Sequence, residues 1–166
     1  LFKSNQNSVK NLIKEAKKYG VNDDRLIFAS HMPIDQHLSR IRLADLFLDT
    51  LPYNAHTTSS DALRMGIPVL TCLGKSFASR VAASLLNAVN LPELITHTPK
   101  EYEALAIELA TNPEKLKAIK DKLASNLSTA PLFDTKRFTK NIESAYMQMY
   151  DRSQQGLEPD HIYVEE

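Results

Sequence analysis

The chain has 166 residues, a length that fits one domain with a full-sized core. Lys plus Arg and Asp plus Glu each number 20, so no net charge favours nucleic acid or an anionic membrane as a partner. The one cysteine, Cys72, cannot form an internal disulfide, no signal peptide is visible, and no apolar run approaches the roughly 20 residues that span a bilayer. We therefore expect a cytoplasmic protein.

Helices and strands are predicted to alternate up to residue 97. Apolar residues at helical spacing predict helices, and short continuous apolar runs predict strands. Asn7 or Ser8 is suited to cap the first helix, and Gly20 is suited to end it in a left-handed conformation. In chain order we expect a helix over Ser8–Tyr19, a buried strand over Arg25–Ala29, a helix over Ile34–Leu43, a strand over Asp45–Asp49, a helix over Thr57–Met65, a strand over Pro68–Cys72, a helix over Phe77–Val89 and a short strand over Glu93–Ile95.

After residue 97 the pattern predicts helices alone. Thr98–Glu101 has the residue order of a capping box, with Pro99 at the first helical position. The helices are expected from Pro99 through Leu109, from Asn112 and Pro113 onward, and from Thr135 to about Tyr150. The final residues are rich in charge with Gly and Pro, so we expect one domain over residues 1–150 and a loosely ordered tail over residues 151–166.

The alternation of short strands and helices defines the fold class. Strand runs that are apolar on both faces are typical of a parallel sheet with helices on both sides. We therefore predict an α/β fold with a Rossmann-like parallel sheet, followed by the C-terminal helices. Because ligands of such sheets bind at the carboxyl ends of strands, polar residues that follow a strand are the candidate sites.

The segment from His56 to Asp61 follows a predicted strand and opens a helix. The first N–H groups of a helix have no intrahelical acceptor, and the helix dipole is positive at this end. The hydroxyls of Thr57 and Thr58 lie at the same point, and His56 can donate to the same anion. This segment therefore predicts a phosphate or diphosphate site, with simple capping of the helix as the alternative.

Three other residue types extend this candidate site toward a nucleoside. A carboxylate repels phosphate, so Asp61 is better suited to accept hydrogen bonds from ribose hydroxyls, although an acid is favoured in the first turn of any helix. His37 and Arg40 are three residues apart and share a helix face. Their planar groups can sandwich a nucleobase, and an exposed polar face is the alternative. This second candidate region begins near Met32, after a predicted strand.

Several catalytic motifs are excluded. Gly74–Ser76 matches the end of a P-loop, but Val69 stands where the first glycine of that motif is required. The histidines lack the Cys/His/Asp spacing of a metal site, so no metal is predicted. No Ser/His/Asp set occurs in the context of a nucleophile elbow.

A series of short motifs occurs in a characteristic order. The motifs are Leu43–Thr50, Asn54–Thr58, Asp61–Leu63, Gly66–Thr71, Ala78–Ser84, Leu91–Ile95, Glu101–Tyr102 and Pro131–Thr135. Together they resemble the O-GlcNAc transferase and SPINDLY-like family of glycosyltransferases, family 41. The resemblance extends over about residues 25 to 150, and ordered motifs are more specific than any one of them alone.

The resemblance implies the C-terminal half of the catalytic region of a GT-B enzyme, in which two Rossmann-like halves face a cleft, usually preceded by tetratricopeptide repeats. It implies an inverting transfer of N-acetylglucosamine from UDP-GlcNAc to Ser or Thr of a protein or peptide acceptor, with no metal or other cofactor. It also implies the site residues: the backbone at Met32 for uracil, His37 and Arg40 for uridine, Asp61 for ribose, and His56, Thr57 and Thr58 for the diphosphate.

Two departures from the family pattern limit this interpretation. Ile34 stands where family members often have Lys, which leaves one ribose contact unassigned. The family's diphosphate-stabilising Lys and its acceptor-binding half lie upstream of Leu1. We therefore expect a fragment that binds UDP or a UDP-sugar weakly and does not transfer sugar alone. The alternatives are a related transferase that uses GDP-fucose or a UDP-hexose, and a non-catalytic α/β nucleotide-binding or regulatory module.

Overall fold

The computed structural model of the protein describes residues 1–164. Within this range the chain forms two compact units, Leu1–Leu43 and a second unit that starts at Ala44. The division into one domain over residues 1–150 and a tail over residues 151–166 stays a prediction.

The first unit contains helices α1, Gln6–Lys18, and α2, Ile34–Ile41. The side chain of Asn5 caps α1 by accepting a hydrogen bond from the backbone N–H of Ser8 at 2.8 Å. The predicted cap at Asn7 or Ser8 is therefore wrong, because a suitable amide oxygen lies two residues before Asn7, on Asn5. Gly20 follows the helix with a φ of 75°, which confirms the predicted left-handed end.

The predicted buried strand over Arg25–Ala29 is wrong. Asp23–Arg25 forms a 3-10 turn, and Ile27 is 79% exposed. Only one β-bridge forms here within the described part of the unit, between Phe2 and Ala29. An apolar run becomes a strand only where a neighbouring strand satisfies its backbone groups, and among the described residues this run pairs only at Ala29.

The second unit contains a parallel sheet of three strands: β1, Phe47–Leu48; β2, Val69–Cys72; and β3, Ile95–Thr96. Their order is β1-β2-β3. All four residues of β2 are buried, and successive side chains of a strand point to opposite faces, so both faces of the sheet are covered. The predicted α/β fold with a Rossmann-like parallel sheet is confirmed.

Five helices of the described chain belong to this unit. They are α3, Thr57–Arg64; α4, Val81–Ala88; α5, Pro99–Thr111; α6, Pro113–Asn126; and α7, Thr135–Gln154. Helices α3, α4 and α5 pack against β2. The core they enclose is mostly aliphatic and includes Leu63, Val69, Leu70, Leu86, Leu91, Leu94, Leu109 and Leu123.

Three predicted elements illustrate how boundaries differ in the structure. The helix expected over Phe77–Val89 is divided, because Phe77–Ser79 forms a separate 3-10 turn before α4. The strand expected over Glu93–Ile95 starts later, because Pro92–Leu94 is a 3-10 turn and pairing with β2 begins at Ile95. Helix α7 continues four residues past its predicted end at Tyr150.

Side chains cap the C-terminal helices as expected from their sequence. The Thr98 hydroxyl accepts a hydrogen bond from the Glu101 N–H at 3.2 Å, and the Glu101 carboxylate accepts one from the His97 N–H at 2.8 Å. The capping box thus closes on the residue before the cap. Asn112 and Asp134 cap α6 and α7 in the same way. Among residues 1–164, none of the helices has both the length and the apolar composition to cross a membrane.

Candidate functional site

A loop between β1 and α3 is held at both ends by one buried carboxylate. Asp49 is 5% exposed, and its Oδ1 accepts hydrogen bonds from the N–H groups of Thr50 at 2.8 Å and Ala55 at 2.6 Å. Its Oδ2 accepts a hydrogen bond from the Thr71 hydroxyl of β2 at 2.6 Å. Hydrogen bonds to a charged group are roughly twice as strong as neutral ones, so Asp49 fixes the loop to the sheet.

The backbone of Asp49 is held from the other side by α5. The Tyr102 hydroxyl donates a hydrogen bond to the Asp49 carbonyl at 2.8 Å. Burial, and secondly the charge of Asp49, raise the pKa of Tyr102 to about 12. Tyr102 therefore stays protonated and remains a donor throughout the neutral pH range.

Asn54 connects the same loop to the turn after β2. Its side chain is 1% exposed and donates to the Thr50 carbonyl at 3.0 Å, while its backbone N–H donates to the Ala78 carbonyl at 2.9 Å. The loop is thus fixed by hydrogen bonds at its start, its middle and its end.

The N-terminus of α3 follows directly on this loop. Thr57 and Thr58 are the first two helical residues, and both are exposed. His56 occupies the N-cap position but makes no side-chain hydrogen bond to the helix end. The first N–H groups of α3 therefore have no side-chain acceptor, and simple capping by the threonines is not what the structure shows.

A pocket of about 520 Å³ opens at this point, beyond the carboxyl end of β1. Its lining consists of Phe47, Asp49, Thr50, Tyr53, Asn54, Ala55, His56, Thr57 and Thr58. The pocket thus combines the hydroxyls and the exposed helix N-terminus that an anion requires. The carboxylate of Asp49 also faces the pocket, but three donors already surround it.

The His56 ring is held by aromatic neighbours. The Tyr53 ring stacks on it with centroids 5.1 Å apart, and the Phe77 ring meets it edge-on at 5.9 Å. The Nε2 atom of His56 lies 3.4 Å from the Ala78 carbonyl oxygen. A carbonyl can only accept a hydrogen bond, so this contact is a hydrogen bond in the tautomer that carries the ring proton on Nε2.

Asp61 lies one turn after Thr57 on α3 and is half-buried. It is not among the residues that line the pocket. Its assignment to ribose hydroxyls stays a prediction.

The first unit brings two other predicted site residues together. Nη2 of Arg40 lies 2.9 Å from Nδ1 of His37, and Nη1 of Arg40 donates to the Ser30 carbonyl at 3.0 Å. Because a guanidinium only donates, His37 accepts through Nδ1. Met32 is half-buried and lies just before Pro33, the N-cap of α2. The two planar groups are adjacent as expected, and their role at a nucleobase stays a prediction.

Sequence reasoning missed Asp49, Asn54 and Tyr102 as residues that build the site. The available signal was the position of Asp49, a carboxylate that ends an apolar strand directly before a loop. The Asn54 N–H and the Tyr102 hydroxyl bind partners distant in the chain, Ala78 and Asp49, so spacing could not identify these contacts. Among residues 1–164, no group of three or more His, Cys, Asp or Glu side chains is arranged to hold a metal ion.

A parallel sheet with an uncapped helix N-terminus at its carboxyl edge is typical of α/β proteins that bind phosphate esters and nucleotides. The model of glycosyl transferase family 41 matches residues 1–142 of this chain. The chain therefore belongs to glycosyl transferase family 41, as the motif resemblance predicted.

Two relatives are similar to this chain in sequence. A probable UDP-N-acetylglucosamine–peptide N-acetylglucosaminyltransferase SEC of Arabidopsis thaliana is 40% identical over 150 residues, which is 90% of this chain and 15% of that protein. The Caenorhabditis elegans UDP-N-acetylglucosamine–peptide N-acetylglucosaminyltransferase is 36% identical over 143 residues, 86% of this chain and 12% of that protein.

A solved structure is similar to this chain in fold. A mutant of the Thermobaculum terrenum O-GlcNAc transferase superposes with a TM-score of 0.83 and 34% identity. The match covers 92% of this chain and 29% of that one. The chain thus spans less than a third of the length of each of these three proteins.

Proposed function

We propose that this chain is the donor-binding part of an inverting protein O-glycosyltransferase that transfers N-acetylglucosamine from UDP-GlcNAc to Ser or Thr of proteins. The observation that carries the proposal is the pocket of about 520 Å³, which joins two exposed threonines to an uncapped helix N-terminus. Family membership and the donor named in the relatives' activities support it.

In this proposal the pocket holds the diphosphate of the donor. The free N–H groups of α3 and the hydroxyls of Thr57 and Thr58 donate to phosphate oxygens, and the His56 ring contacts the diphosphate from the pocket wall. Negative charge grows on the diphosphate as the sugar leaves, so donors fixed before the reaction lower the barrier without reorganising. Asp61 binds the ribose hydroxyls.

The uridine is assigned to the first unit. His37 and Arg40 are held as one planar pair, which suits stacking or edge contacts with a base. The backbone at Met32 reads the uracil edge. Ile34 cannot replace the lysine that relatives often have there, so we expect no side-chain hydrogen bond to the ribose from that position.

We assign the remaining parts of the enzyme to other regions of a longer protein. The acceptor-binding half, a diphosphate-binding Lys and tetratricopeptide repeats lie outside this chain, so the chain alone binds the donor weakly and does not catalyse transfer. The donor charge is neutralised by the helix end and cations, with no metal. The buried free thiol of Cys72 is in accord with a cytoplasmic protein.

A calorimetric titration tests the proposal. The chain is titrated with UDP, UDP-GlcNAc and GDP, and then the Thr57→Val/Thr58→Val variant is titrated with UDP. We expect uridine ligands to bind more tightly than GDP, and the variant to lose about tenfold in affinity, as for hydrogen bonds worth about 1.4 kcal/mol. Thr135→Val is the matched control, because Thr135 is also an exposed first residue of a helix.

Two results would contradict the proposal. Preference for GDP would remove the uridine assignment, and unchanged UDP affinity in the double valine variant would remove the diphosphate site. Sugar transfer to a peptide, assayed with the full-length protein and with the isolated chain, separates a transferase from a non-catalytic binding module.

A further inference from the structure

A closed turn follows β2 and connects it to α4. The Ser79 hydroxyl, in a side chain that is 4% exposed, accepts a hydrogen bond from the Ser76 N–H at 3.0 Å and donates to the Ser76 carbonyl at 3.0 Å. The Ser76 hydroxyl oxygen lies 2.9 Å from the Ser79 hydroxyl oxygen, and the Gly74 N–H donates to the Ser79 carbonyl at 2.8 Å. The turn is thus held by its own side chains as well as by its backbone.

Gly74 makes this closure possible. A Cβ atom at residue 74 would overlap the Ser79 hydroxyl, so any side chain there must displace Ser79. The requirement for glycine arises from this close approach, since Gly74 is not among the glycines with a positive φ.

The turn presents one carbonyl to two residues of the candidate site. The Ala78 oxygen accepts a hydrogen bond from the Asn54 N–H at 2.9 Å and lies 3.4 Å from Nε2 of His56. The next side chain back, Phe77, is 80% exposed and meets the His56 ring edge-on. Two consecutive residues of the turn therefore contact the loop that forms the pocket.

These contacts restrict the His56 ring in two ways. Tyr53 covers one face and Phe77 one edge, which limits rotation of the ring. The Ala78 carbonyl favours a proton on Nε2, because a carbonyl oxygen can only accept a hydrogen bond. A ring held in one orientation presents the same surface to a bound anion without rearranging.

We propose that the Gly74–Ser79 turn is a positioning element for the donor diphosphate, in which Ser79 holds the Ala78 carbonyl so that His56 keeps one orientation and one tautomer. This inference rests on the proposed function, because it concerns the same pocket. Ser79 is a positioning residue and touches no ligand itself.

The test measures the ring and the ligand separately. Ring nitrogen chemical shifts of His56 are recorded in the ¹⁵N-labelled chain at alkaline pH, where imidazoles are neutral, and are assigned by comparison with His56→Gln. UDP affinity is measured on the same samples. We expect the wild-type ring to carry its proton on Nε2, and Ser79→Ala to give a mixture of tautomers with about fivefold weaker UDP binding.

Ser84→Ala is the matched control, because Ser84 is an exposed serine on α4, and it should change neither reading. Phe77→Ala is the second variant, which removes an exposed ring without opening the turn. It should loosen the His56 ring and weaken UDP binding even if Ser79→Ala fails to fold.

The outcomes distinguish this inference from the proposed function. If the wild type binds UDP while Ser79→Ala and Phe77→Ala retain a single Nε2 tautomer and wild-type affinity, the positioning role is refuted. If the wild type binds no UDP, the proposed function fails, and the ring shifts of the two variants still decide whether the turn positions His56.

Discussion

The buried carboxylate of Asp49 allows a sharp prediction of stability. In Asp49→Asn, the amide oxygen still accepts from Thr50 and Ala55, but each bond loses about 0.5 kcal/mol because the acceptor is neutral. The amide N–H₂ cannot accept from Thr71, and that bond is worth about 1.5 kcal/mol. We therefore expect Asp49→Asn to lower the free energy of unfolding by about 2.5 kcal/mol.

Urea unfolding followed by circular dichroism measures this loss. Asp45→Asn is the matched control, because Asp45 lies four residues earlier and forms a solvent-exposed ion pair with Lys120 at 2.7 Å. The control should change the unfolding free energy by about 0.5 kcal/mol or less.

A double-mutant cycle isolates the contact between Asp49 and Thr71. Since Asp49→Asn already removes the hydroxyl's bond, adding Thr71→Val should cost about 1 kcal/mol less than it does in the wild type. If Asp49→Asn costs no more than Asp45→Asn, or if the two losses add fully, the carboxylate does not anchor the loop as described.

Three further predictions follow from the other contacts. Raising the pH from 10 to 12 should destabilise the protein, because Tyr102 ionises at a lower pH in the unfolded chain than in the folded one. Tyr102→Phe should reduce this loss of stability at alkaline pH, which is measured by thermal unfolding as a function of pH. Ser59→Ala should leave stability unchanged or raise it by up to about 1 kcal/mol in urea unfolding, because the buried Ser59 hydroxyl has no partner among the described residues; a clear loss would reveal a hidden bond. Arg40→Lys should weaken UDP binding about tenfold in calorimetry, because Lys lacks the planar guanidinium group with its several N–H donors. The exposed control Arg42→Lys should change the affinity by no more than about twofold. Equal losses of affinity in the two variants would show that Arg40 is not part of the site.

The sequence predicted the α/β architecture well because strand-like and helical runs alternate and end at strong local signals. Gly20, Thr98 and Asn112 mark helix ends through their own backbone or side-chain preferences, and the structure agrees at each. Such signals depend on neighbours in the chain, so the sequence contains them.

Predictions failed where distant partners decide the structure. The apolar run over Arg25–Ala29 has the composition of a strand but lacks neighbouring strands in its unit, so Ile27 stays exposed. The side chains of Ser76 and Ser79 interrupt the helix expected over Phe77–Val89. In the site, the motif predicted the two threonines at the start of α3. The loop before them is fixed by Asp49, whose hydrogen-bond partner Thr71 lies 22 residues away in the chain.

The carboxylate that joins both ends of the loop also has a kinetic consequence. Since contacts within the protein fix the loop between β1 and α3, its conformational entropy is lost during folding and not when a ligand binds. Under the proposed function, UDP can therefore leave the pocket and a new donor can bind without reordering of this loop. The slow steps of the proposed transfer would then lie outside this loop.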